Sequence, residues 1–183
     1  MSVSPLKVVI ENDVSLLQEF GAASSTSMKG GIAPRVEKLF RKVAARISKD
    51  NHELSAMRPM LEFVARSYPP AWLLISNLQE DVGGKDDIDQ AAEYVRRYLE
   101  NNPDGTESRA AWERLAALYK RSGNVVGAVG AFVRAFDVHT APLNEISDMA
   151  NWLNGKHDEI ASMDAADKAS IFGSLASPHY AAL

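Results

Sequence analysis

The chain has 183 residues, 46% of them hydrophobic and 24% charged, which is ordinary for a globular domain and long enough to bury one core. It contains no cysteine, so disulfides, thiolate nucleophiles and Cys-based zinc sites are excluded, and no apolar run approaches the ~18 residues that a membrane-spanning helix needs. The net charge of −4 conceals an asymmetry: the stretch 29–49 carries seven basic residues against the single acid Glu37, a local balance of +6 that leaves −10 for the rest.

The first residues, MSVSPLKVVIENDVS, lack a basic start followed by a long apolar core. A secretory leader is therefore not expected, and the cytoplasm is the expected compartment. Leu6 to Ile10 has the composition of a strand but no obvious pairing partner. The expectation is irregular chain followed by a short helix through Val14, Leu17 and Phe20, capped by Asn12 or Asp13. Residues 21–34, GAASSTSMKGGIAP, are small and polar and read as a linker, so 1–34 forms an N-terminal segment. Arg35 to Lys49 is amphipathic, with Val36, Leu39, Phe40, Val43 and Ile47 on one face and Lys38, Lys42, Arg46 and Lys49 on another. That basic face is either solvated or a docking face for an acidic segment or nucleic acid. Nucleic acid is the weaker option, because no exposed aromatics interleave and the rest of the chain is acidic. Asp50-Asn51-His52 should break this helix. The next, Leu54 to Tyr68, turns Leu54, Met57, Leu61, Val64 and Ala65 inward. Pro59 is compatible with it if the helix starts near Met57.

Pro70 to Asp81 carries Trp72, Ile75 and Leu78 at helical spacing. After Gly83-Gly84-Lys85-Asp86 comes DDIDQAAEYVRRYLENNP, in which Ala91, Val95 and Tyr98 share a face and Pro103 closes the unit. Arg109 to Pro142 is the most patterned stretch. Trp112, Leu115, Ala116 and Tyr119 fall at i, i+3, i+4 and i+7 of a helix over about 107–121, which Thr106 or Ser108 can cap. Ser122-Gly123-Asn124 ends it. A second helix over about 125–138 carries Val125, Ala128, Val129, Phe132 and Ala135–Phe136 on its apolar side. Ala116 and Ala128 allow the two helices a close approach. Thirty-four residues after the first helix, Ile146, Met149, Ala150 and Leu153 occupy the corresponding positions, so 142–154 reads as the start of a further unit. Gly155-Lys156-His157 is a turn, and Ala165 to Leu175 is a last helix with Ala169, Ile171, Phe172 and Leu175 apolar.

The pattern Trp112-x2-Leu115-Ala116-x2-Tyr119, then Ala128-x3-Phe132 and Ala135, resembles the tetratricopeptide repeat (TPR), with Ala116 where Gly is commoner. The 40-residue step from Trp72 to Trp112 also resembles the related Sel1-like repeats. The resemblance is specific for 109–142 and weaker for the units on either side, together about half the chain. It implies an all-α fold: about eight helices in antiparallel pairs, near 35–68, 70–103, 106–141 and 142–176, stacked as a right-handed α-solenoid in a domain spanning 35–183. It further implies a concave surface lined by the first helix of each pair. Carried onto this chain, the groove positions are Asn77 and Glu80, then Glu113, Ala117, Lys120 and Arg121, then Asn144, Ser147, Asn151 and Asn154. Glu113 and Asp148 place acids on that surface, where a clamp for a C-terminal carboxylate would need cations. Asn side chains offer both donor and acceptor to a peptide backbone.

No constellation points to catalysis. His52, His139, His157 and His179 are scattered without metal-ligand spacing. Asp86-Asp87-x-Asp89 lacks the Gly and distal Glu of a calcium loop and suits the first turn of a helix. Gly83-Gly84-Lys85 has neither the upstream Gly nor the following Ser/Thr of a phosphate-binding loop. Trp72 and Trp112 read as core, and Trp152 as a partly exposed ring fit to anchor an interface. No cofactor is expected. The reading is a non-catalytic interaction scaffold or regulatory module for a protein or peptide partner, with no membrane. Three alternatives remain: a nucleic-acid-associated helical repeat using 35–49, the helical sensor region of a larger signalling protein, and, as the weakest, an enzyme whose site lies within residues 1–34. Self-association also remains open, since an uncapped solenoid end exposes apolar surface.

Overall fold

A computed structural model describes residues 51–102, 107–136 and 142–175, and among these every regular element is a helix. The chain divides after Asn102 into two compact units. The first contains α1 (Asn51–Ser67), α2 (Ala71–Val82) and α3 (Lys85–Asn101). The second contains α4 (Ser108–Ser122), α5 (Val125–Ala135), α6 (Leu143–Asn154), α7 (His157–Ser162) and α8 (Ala165–Leu175). The segment 1–34 and the amphipathic stretch 35–49 lie outside the described residues.

In the first unit, Leu54, Leu61, Val64 and Ala65 of α1 are buried. The helix does not wait for Met57: it begins at Asn51, so Asn51 and His52 are helical rather than a break, and Pro59 lies inside it. Pro59 has no N–H for the carbonyl one turn back. Starting early places Leu54 two turns before Leu61, on the same buried face. Helices α2 and α3 form a tight hairpin around Trp72, Ile75, Leu78, Ile88, Ala91, Ala92, Val95, Tyr98 and Leu99, all buried. Gly83, at φ 87°, ends α2 in the left-handed region that favours glycine. The Asp87 carboxylate then reaches back to accept from the Gly84 N–H at 3.1 Å, so one of the first-turn acids caps α3. The buried Ser76 hydroxyl donates to the Ala91 carbonyl across the helix pair at 2.9 Å.

In the second unit, α4 and α5 form the other tight hairpin. Its turn is sharp because Gly123 sits at φ 83°, which lets the Asn124 N–H donate to the Tyr119 carbonyl at 2.9 Å. The Asn124 side chain accepts from the Gly127 N–H at 2.8 Å and caps α5. The apolar stripe of α5 is buried as its spacing demands: Val125, Ala128, Val129, Phe132, Ala135 and Phe136. The buried face of α4 is rotated from the expected one. It comprises Ser108, Ala111, Leu115, Ala116 and Leu118, while Trp112 and Tyr119 are half-buried flanks. Ser108 is the first helical residue rather than the cap, and Glu107 at the cap position makes no side-chain cap bond.

The remaining helices depart further from the expected pattern. On α6 only Met149 is buried; Ile146 and Leu153 are half-buried and Ala150 is exposed. Thus α6 does not repeat the packing of α4. The short α7 follows Gly155-Lys156 directly, where only a turn was expected. On α8, Ile171 is buried while Ala169 and Phe172 are exposed, and its main packing partner is α5.

The α4/α5 hairpin yields a test. A Cβ built on Gly127 would lie 2.8 Å from Tyr119 Cδ2 and 2.9 Å from the Asn124 side chain. Gly→Ala inside a helix ordinarily stabilises by up to ~1 kcal/mol. Here displacement of the ring and the cap should outweigh that gain, and Gly127→Ala should destabilise by about 1–2 kcal/mol. In a Tyr119→Ala background the penalty should shrink. Chemical denaturation of both single variants and the double variant measures the difference.

Candidate functional site

Three arrangements of polar and apolar side chains merit attention, one in the first unit and two in the second. In the first unit, a network ties α1, α2 and α3 together. Gln79, buried on α2, accepts from Arg58 Nη2 at 3.3 Å and donates to Asp87 Oδ1 at 2.6 Å. Beside it, the Tyr94 hydroxyl donates to Glu62 Oε1 at 3.0 Å, and the Tyr94 ring stacks on Trp72 with centroids 5.8 Å apart. The Arg97 guanidinium lies over both rings, 5.3 Å from Trp72 and 5.8 Å from Tyr94. It also pairs with Glu93 at 3.2 Å and approaches Glu62 at 3.7 Å. Burial, reinforced by the Glu62 carboxylate, pushes the Tyr94 phenol well above its ordinary value. The hydrogen bond from Arg96, with a further one from Arg97, holds the Glu93 carboxyl below its usual range despite partial burial. Every one of these contacts joins two helices or braces one, so the network is a clasp for the core.

The second arrangement is the polar face of the second unit. Asn144, Ser147, Asn151 and Asn154 of α6 are all exposed. Their spacing of three, four and three residues puts them on one side of the helix, opposite buried Met149. On α4, Glu113 pairs with Arg109 at 2.9 Å, Ala117 and Arg121 are exposed, and Lys120 Nζ sits 5.7 Å from the Trp152 ring centre. The Lys120–Trp152 contact brings α4 and α6 together. It also occupies both residues, Trp152 being half-buried under the lysine. Trp112 is likewise covered by Arg134 of α5, at 4.8 Å. Asn77, exposed, and Glu80, half-buried, stand on α2 in the first unit. Lys38, Lys42, Arg46 and Lys49 fall outside the described residues.

The third is a cavity of about 320 Å³ open to solvent between α6, α7 and α8. Its wall is apolar: Leu153, Ile160, Ala161, Ile171, Phe172 and Leu175. Asn154, His157 and Lys168 supply its polar groups, and no carboxylate lines it. Phe172 is 58% exposed, which is unusual for so large an apolar ring. Sequence reasoning missed this feature because it missed α7. A signal was present: Asp158 and Glu159, which follow Lys156-His157, are first-turn acids of a helix start.

Among the described residues no group of three or more His, Cys, Asp or Glu could hold a metal, and no helix is long and apolar enough to cross a membrane. No protein-family model, curated protein or solved structure matches the chain.

The Tyr94 shift predicts a pH dependence. A raised folded value stabilises fully below the unfolded phenol value of ~10, and that stability is lost as pH rises beyond it. In an absorbance titration of phenolate, Tyr94 should therefore ionise only as the first unit unfolds. Tyr94→Phe should remove that late step from the curve. Persistence of the step in the variant would assign it to another tyrosine.

Proposed function

We propose that the chain is a non-catalytic interaction module that holds a protein or peptide on an exposed helical face. The observation that carries this reading is the α6 row Asn144, Ser147, Asn151 and Asn154, whose side chains all face solvent. Amides spaced along one helix side can meet successive donors and acceptors of a peptide backbone, which gives adhesion without chemistry. Lys120 of α4 reaches the same helix through the Trp152 ring, and Ala117 and Arg121 of α4 are exposed. In this reading the antiparallel hairpins are tetratricopeptide-like units stacked as a right-handed solenoid in the cytoplasm. Support for the repeat comes from the two hairpins α2/α3 and α4/α5, each turning at a positive-φ glycine and each closely packed through small residues.

The test uses the immobilised full chain as bait in cell lysate. Wild type should retain a protein that Asn144→Ala/Asn151→Ala loses, with helical circular dichroism unchanged because both side chains are solvent-facing. A partner retained equally by the variant removes the α6 face as the binding surface. Capture of nucleic acid that moderate salt releases would favour the basic stretch 35–49 instead.

A further inference from the structure

We infer that the cavity between α6, α7 and α8 is a binding site for a small amphiphilic carboxylate, with an alkyl tail among the aliphatic side chains and the carboxylate on Lys168. Three observations combine. The first is size: about 320 Å³ lies at the lower end of the ~300–1,000 Å³ typical of small-molecule sites. The second is chemistry: Leu153, Ile160, Ile171 and Leu175 offer a tail branched aliphatic surface without a single acid. The third is charge complementarity. Lys168, half-buried, is the one lysine on the wall, and its ammonium group donates to the Ala161 carbonyl at 2.8 Å. That bond uses one of three N–H groups and holds the amine beside the cavity, leaving two donors for a ligand. The Asn154 amide stands at the same site as a further donor, and His157 lines it as well. Two nearby acids are engaged elsewhere: Asp164 caps α8 by accepting from the Asp167 N–H at 2.8 Å, and Glu159 pairs with Lys156 at 2.8 Å, whereas the exposed Asp158 lies 3.5 Å from His157 Nδ1.

A cationic head group would meet Lys168 with like charge, and a neutral one would forgo the ion pair. The ranking of head groups is therefore the signature of the site. This inference goes beyond the peptide-binding reading and does not depend on it, because it rests on the apolar wall and on Lys168; Asn154 is the one residue that the two surfaces share.

The experiment is calorimetric or NMR titration of the full chain with octanoate, octanol and octylamine, which share a tail and differ in charge. Octanoate should bind most tightly, ahead of octylamine by tenfold or more. Shortening the carboxylate to hexanoate and butanoate should weaken binding by roughly fourfold for each methylene withdrawn from the apolar wall. Lys168→Gln should abolish the preference for octanoate over octanol while leaving octanol binding in place. Ala161→Phe, which fills the cavity, should weaken all three probes. Equal binding of octylamine and octanoate by wild type overturns the proposal without recourse to any variant, as does saturation by none of the probes at millimolar concentration. Octanoate binding unchanged in both variants places the ligand elsewhere on the chain and overturns it equally.

Discussion

Close approach of antiparallel helices is the constraint on which both units depend. In α2/α3 it is met by Ala71, Ala91 and Ala92, and by Ser76, whose hydroxyl finds a carbonyl on the facing helix at 2.9 Å. In α4/α5 it is met by Ala111, Ala116, Ala128 and Ala131, with Gly127 opposite the Tyr119 ring. Large side chains at these positions would hold the backbones apart and leave voids around Phe132 or Tyr98. Dense packing is what turns weak dispersion contacts into a specific fold. The same constraint explains the turns. Gly83 and Gly123 adopt φ values of 87° and 83°, which let each second helix begin after only two intervening residues.

Polar groups follow from this packing rather than oppose it. Once α2 and α3 are close, Gln79 and Ser76 have no access to water and must be satisfied by neighbours. Gln79 is placed between Arg58 and Asp87, and Asp87 at the same time caps α3. One carboxylate thus serves helix initiation and interhelix bonding together. The Trp72–Tyr94–Arg97 stack similarly covers an aromatic edge of the core with a cation that two carboxylates balance. These contacts form a structural clasp.

The second unit differs in kind. Its α4/α5 hairpin is filled, but α6, α7 and α8 close over it incompletely. Met149 and Ile171 are the buried residues of these three helices, and an apolar cavity remains between them. Asn144, Ser147 and Asn151 of α6 are exposed, while Leu153 and Asn154 at its C-terminal end reach the cavity.

Helix identity was set locally. Period-3.6 apolar spacing in 71–82, 85–101, 108–122 and 125–135, the glycines that end α2 and α4, and the acids that open α3 act over a few residues and can be read without tertiary information. Helix rotation was not local. Trp112 and Tyr119 match a repeat pattern, yet Ala111 and Leu118 take the buried positions, because Arg134 and Gly127 of α5 receive the two rings at the edge of the interface. Nor was the fate of Ala150, apolar by type but exposed on α6. The continuation of α1 through Pro59 was likewise decided by burial of Leu54, which offset a lost backbone bond. The cavity is the clearest case: its lining residues run from Leu153 to Leu175 and become neighbours only when α7 folds the chain back. Short-range propensity chose the helices, and competition among side chains for the same interior decided which face each one shows.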